Sequence, residues 1–127
     1  MAQENENIQQ EQAKQLALEI ATILDKNKAQ DIKILYVSNQ TVIADYFVIA
    51  EGTSTTQVNS LADEVRFRLS QKELRPMRVE GENSGSWVLL DYASVIVHVF
   101  LNSQRDFYKL EKLWADGEEV PFEQMED

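Results

Sequence analysis

Few residues in this 127-residue chain belong to the types that do chemistry. Cysteine is absent, which excludes disulfide frameworks, thiolate nucleophiles, thiolate-ligated zinc and iron–sulfur clusters. His98 is the single histidine, so one chain cannot build a multi-histidine metal centre. It also sits in no recognisable nucleophilic triad. Acid–base pairs could be drawn from Asp45, Glu51, Glu80 and Asp91, but nothing in their spacing imposes a pair. The turn Gly52-Thr53-Ser54 ahead of a helix invites a phosphate, because helix N-termini favour anions. It lacks the Gly-Lys-Ser/Thr ending of a P-loop. A nucleotidyltransferase would need two aspartates one residue apart to hold Mg²⁺ against phosphates, and no Asp-x-Asp occurs in the chain. The expectation is a protein without catalysis, cofactor or metal. The alternative is a nucleotide-binding enzyme or regulator using the Gly52–Ser54 turn.

The elements around these residues follow from apolar periodicity. Residues 1–8 are polar and expected to be disordered. Across 9–27, Ala13, Leu16, Ala17, Ile20, Ile23 and Leu24 recur at steps of three and four, the signature of one buried helix face. Residues 31–38 and 45–50 read as strands, the second nearly continuous in apolar character and so covered on both faces. Ser54 is placed to cap a second helix that carries Val58, Leu61, Ala62, Val65 and Leu69 to about residue 73. Pro76 follows, then a short strand at 77–80. Residues 86–91 and 95–101 form a hairpin, and 104–114 a last helix with Phe107, Leu110, Leu113 and Trp114 on one side. The order α-β-β-α-β-β-β-α predicts an α/β domain with a mixed five-stranded sheet packed with helices, the middle helix permitting a parallel crossover.

A hairpin closed by the four residues 91–94 would set Trp87 opposite His98 and Leu90 opposite Val95. Alternation then sorts the side chains onto two faces. Val88, Leu90, Val95, Val97 and Val99 make an ordinary core face. Trp87, Leu89, Asp91, Ser94, Ile96, His98 and Phe100 make a face that mixes large apolar groups with an acid, a hydroxyl and the histidine. Two readings of that second face stand side by side: cover by the last helix, and a protein-binding patch anchored on Trp87.

Charge narrows the partner. The net charge is −10. Residues 115–127 hold six acids and no base, and Glu4 and Glu6 add two acids near the other end. The rest of the chain is nearly neutral. No Lys/Arg cluster suits phosphate-backbone binding, so a basic protein partner fits better than nucleic acid. The domain is read as 9–115, with 116–127 an acidic flexible tail. The length suits one domain. No stretch reaches the roughly 18 apolar residues of a membrane span, and the first dozen residues have neither a secretory nor an organelle-targeting layout. A cytoplasmic protein is expected.

Four segments then resemble one family. Asp45-Tyr46-Phe47-Val48-Ile49-Ala50-Glu51-Gly52-Thr53-Ser54 with Gln57-Val58 is similar to its DYFVIASGTSxRQV segment. Glu80-Gly81 and Gly85-Ser86-Trp87-Val88-Leu89-Leu90-Asp91-Tyr92 resemble EG…GWxLLDYGD, Val97-His98-Val99-Phe100 resembles VHVF, and residues 105–114 resemble RxFYxLExLW. In this order and spacing they identify the chain as a member of the Iojap/RsfS family of ribosomal silencing factors. The resemblance implies a nucleotidyltransferase-like fold without catalytic acids, often homodimeric when free. It also implies binding to the large ribosomal subunit through large-subunit ribosomal protein fourteen, blocking association with the small subunit. The partner-binding residues expected are Trp87, Leu89, Asp91, Tyr92, His98 and Phe100. The chain departs from the pattern at Ala93 (usually Gly), Ser94 (usually Asp), Thr56 (usually Arg) and Glu51 (usually small). Glycine at position 93 would permit a positive φ.

Overall fold

Apolar residues at helical spacing bury a stripe, and the computed structural model, which describes residues 2–39, 41–102 and 118–124, shows what that stripe lies against. On α1 (Ala2–Lys26) the buried residues are Ala13, Ala17, Ile20, Ala21 and Leu24, and on α2 (Thr55–Ser70) they are Val58, Leu61, Ala62, Val65 and Leu69. Three alanines on α1 leave little side chain between the helix and what it covers. Both helices pack on one face of a sheet, against Ile34, Val48, Ala50, Val88, Leu90, Val95, Val97 and Val99.

The strands are β1 (Gln30–Tyr36), β2 (Tyr46–Gly52), β3 (Arg78–Glu80), β4 (Trp87–Asp91), β5 (Val95–Leu101) and β6 (Glu118–Val120), in spatial order β3-β4-β5-β2-β1-β6. β2 runs parallel to β5, and the other neighbours are antiparallel. The parallel crossover therefore joins β2 to β5 through α2, β3 and β4. With a paired strand on each side, β2 is buried at every position, as its continuous apolar run predicts.

The structure corrects three expectations. α1 starts at Ala2, so residues 2–8 are helical rather than disordered. Ala2, Gln3, Glu4 and Glu6 are good helix formers, and they outnumber the weaker Asn5 and Asn7. α2 ends at Ser70 rather than near residue 73. Glu73 takes a left-handed φ of 63°, and the Leu74 amide turns back onto the Leu69 carbonyl at 3.0 Å, a helix stop that acts before Pro76.

The third correction concerns the acidic tail, which is not simply a flexible end. Glu118–Val120 pairs antiparallel with β1, so the sheet has six strands rather than five. Val120 and Phe122 pack against the helix-side core. Gln124 accepts the Ile32 amide at 2.9 Å and donates to the Ala29 carbonyl at 3.1 Å, behaving as a surrogate peptide unit. The driving force is the β1 edge, whose backbone groups need partners that β2 cannot supply.

The helix expected at 104–114, with Phe107, Leu110, Leu113 and Trp114, lies outside the described residues. No helix among the described residues is long and apolar enough to cross a membrane.

Candidate functional site: the second face of the sheet

The site is set by the β4–β5 register. Trp87 pairs with Phe100, Leu89 with His98 and Asp91 with Ile96, two residues away from the register expected. The cause is the turn. Only Ala93 and Ser94 lie between the last facing residues, and the Tyr92 amide donates to the Val95 carbonyl at 2.9 Å. Ser94 N–H donates to the Tyr92 carbonyl at 2.9 Å, closing a γ-turn with φ of 69° at Ala93. That positive-φ γ-turn is the strained form, and it favours glycine. Asp91 holds it by accepting the Ala93 amide at 2.8 Å. A shift of two leaves every side chain on the face assigned to it.

The second face carries Leu35, Val37, Phe47, Ile49, Ile96 and Phe100 as a buried cluster, with Trp87 and Leu89 half-buried against it. The aromatic groups interlock. Trp87 stacks on Phe100 with ring centroids 5.2 Å apart, and Phe47 meets the His98 ring edge-on at 4.9 Å. The indole Nε1–H of Trp87 donates to Nδ1 of His98 at 3.2 Å. This bond is diagonal, one strand pair away from the direct Trp87–His98 facing expected. It assigns the tautomer, because a nitrogen that accepts carries no proton, leaving the proton on Nε2. His98 is 4% exposed. Burial pushes its pKa down to about 3, so the ring is neutral at physiological pH.

The structure therefore gathers five of the six expected partner-binding residues on one face. Trp87, Leu89 and Asp91 form a partly accessible line along β4, and His98 and Phe100 lie buried beside them. Tyr92 is not with them. It faces the helices, buried in the larger core, and burial pushes its pKa up to about 12 against a smaller opposing pull from Arg66. Its hydroxyl has no hydrogen-bond partner among the described residues. Asp91 has a second role at the sheet edge, with Arg78 3.8 Å from its carboxylate.

The Gly52–Ser54 turn is built as a helix cap. Ser54 Oγ accepts the Gln57 amide at 3.0 Å, and the Gln57 side-chain oxygen takes the Thr53 amide at 2.7 Å. This is a variant of the capping box, legible in the Ser-x-x-Gln spacing but missed beforehand. A phosphate at this turn would have to displace the glutamine. The sequence offered no comparable signal for the Gln124 clamp, which joins residues more than ninety positions apart. No group of three or more metal-ligating side chains occurs among the described residues.

An open mixed sheet with two helices on one face and an aromatic, partly polar second face defines a class of α/β protein in which the second face is the distinctive surface. The family model described as "Ribosomal silencing factor during starvation" matches residues 10–127, and the chain belongs to that family, RsfS. It is 38% identical over 97 residues to "Ribosomal silencing factor RsfS" of Bacillus subtilis, covering 76% of this chain and 82% of that protein. It is 34% identical over 109 residues to "Protein Iojap, chloroplastic" of Arabidopsis thaliana, covering 84% of this chain and 45% of that one. The crystal structure of a Chromobacterium violaceum protein has the same fold, with a TM-score of 0.75 at 36% identity, covering 88% of this chain and 90% of the other.

Proposed function

We propose that this protein represses translation in the cytoplasm by docking on the large ribosomal subunit, through large-subunit ribosomal protein fourteen, and excluding the small subunit by its bulk. The observation that carries the reading is the β4 line Trp87–Leu89–Asp91, where a large aromatic side chain backed by a buried aromatic cluster remains partly accessible. Rigid, half-buried Trp is the residue type that most often anchors interfaces. The acidic balance of the chain suits a basic ribosomal protein. The scaffold is read as nucleotidyltransferase-like with the paired aspartates missing, so no catalysis or cofactor is involved. The free protein is a homodimer, and the likeness to ribosomal silencing factors supports the whole reading.

The test is co-sedimentation of the purified protein with separated ribosomal subunits. The protein is expected to travel with the large subunit and to reduce 70S formation when small subunits are added. Absence of both at low salt would sink the proposal. Trp87→Ala is expected to weaken large-subunit binding by about 2 kcal/mol or more, roughly thirty-fold, while leaving the protein folded.

A further inference from the structure

His98 is buried, yet only half of its polar capacity is used. Nδ1 accepts from the Trp87 indole at 3.2 Å, while Nε2 has no partner among the described residues. The tautomer that allows the first bond places the proton on Nε2, so a buried N–H donor is left unmet among the described residues. That costs free energy. A leucine or phenylalanine would fill the same space among Phe47, Phe100 and Ile96 without that cost. What histidine adds to this apolar position is an acceptor at Nδ1, aimed at Trp87.

That acceptor adds a directional constraint on Trp87. Its direct cross-strand neighbour is Phe100, and stacking at 5.2 Å with planes 26° apart fixes the distance between the rings but little of the in-plane rotation. Stacking is tolerant of rotation and sliding, whereas an N–H donor bond is directional. The bond to His98 pins the indole nitrogen inward, which decides which edge of the indole faces outward. The imidazole is itself held by the Phe47 edge at 4.9 Å and lies nearly parallel to Phe100, at 7°. A buried, rigid acceptor thus orients a partly accessible aromatic group.

We infer that His98 is a positioning residue for partner binding: its Nδ1 locks the Trp87 indole in the one pose that the partner surface receives. This rests on the proposed function, in which Trp87 is the anchor. The partner meets a pre-set indole and does not have to order it, which preserves affinity.

The experiment compares four full-length proteins, wild type, Trp87→Ala, His98→Leu and His98→Asn, for affinity to purified large ribosomal subunits. Each is also examined for the indole N–H signals in a proton–nitrogen NMR spectrum. Asparagine places its amide oxygen close to the position of Nδ1, whereas leucine offers no acceptor. His98→Leu is expected to shift the Trp87 indole signal and weaken binding about tenfold, the scale of one lost hydrogen bond. His98→Asn is expected to restore both. Should His98→Leu bind as wild type while Trp87→Ala loses affinity, the positioning role is overturned and the proposed anchor stands. Should Trp87→Ala bind as wild type, the anchor falls and the inference with it. If His98→Leu does not fold, His98→Gln replaces it, since glutamine carries its amide toward the position of Nε2. Weaker binding by Gln than by Asn supports the role, and equal binding by the two overturns it.

Discussion

The two faces of the sheet are built from alternate residues of the same strands, and they obey different rules. The helix-covered face is mostly Ile, Val, Leu and Ala, with Tyr46 and Tyr92 among them, packed against Ala, Ile and Leu of α1 and Val, Leu and Ala of α2. Apart from the two tyrosines, its chemistry is interchangeable and its shape is not. The second face concentrates Phe47, Trp87, His98 and Phe100, in which ring geometry and one directional hydrogen bond matter as much as buried area. Close packing stabilises the first face, whereas the second gives up some stability by keeping a neutral histidine in an apolar site.

The largest effect that would sharpen this contrast lies on the first face. Leu90 is fully buried there, and Leu90→Ala is expected to cost about 3 kcal/mol in urea unfolding, from lost transfer free energy and the cavity left behind. A loss below about 1 kcal/mol would mean that the helix face repacks freely, and the contrast would fail.

The next effect belongs to the second face and is read as a pH dependence. The folded-state pKa of His98, about 3, lies below the unfolded value near 6.5. The unfolded chain therefore binds the proton first as pH falls. The stability tied to neutral His98 is complete above about pH 6.5 and is lost progressively toward pH 3. Between pH 7.5 and 5 the wild type is expected to lose about 2 kcal/mol more than His98→Asn, which has nothing to titrate at that site. Parallel stability–pH curves for the two proteins would show that position 98 carries no such penalty.

The smallest effect is at the turn where both faces end. Ala93 holds a φ of 69° that costs an L-residue about 1 kcal/mol. Ala93→Gly is expected to recover part of that, as a higher midpoint in thermal or urea unfolding, offset by the greater entropy of unfolded glycine. No gain, or a loss, would show that the turn is unstrained with alanine.

Several features were legible because they depend on local pattern. The period of Ala13, Ala17, Ile20 and Leu24 sets a helix face whatever it packs on, and the unbroken apolar run of β2 already required cover on both sides. The separation of Val88 and Leu90 from Trp87 and Leu89 survived an error of two residues in register, because faces depend only on parity. The candidate site was legible to the same degree. Trp87, Leu89, Asp91, His98 and Phe100 share a face by alternation, and Tyr92, one residue on, falls on the other.

What the sequence determined by itself was therefore the types of α1, α2 and β1 to β5, the faces, the family and the list of unusual residues, since periodicity and capping act over a few positions along the chain. Only the tertiary structure decided that Trp87 bonds His98 diagonally, that the hairpin closes through a strained turn at Ala93, and that the acidic tail supplies a sixth strand. The first and third depend on groups distant in sequence meeting in space, and the turn depends on the register that the two strands adopt. The β1 edge had to exist before Glu118–Val120 could pair with it, and the strands had to align before the Trp87 indole could reach Nδ1 of His98.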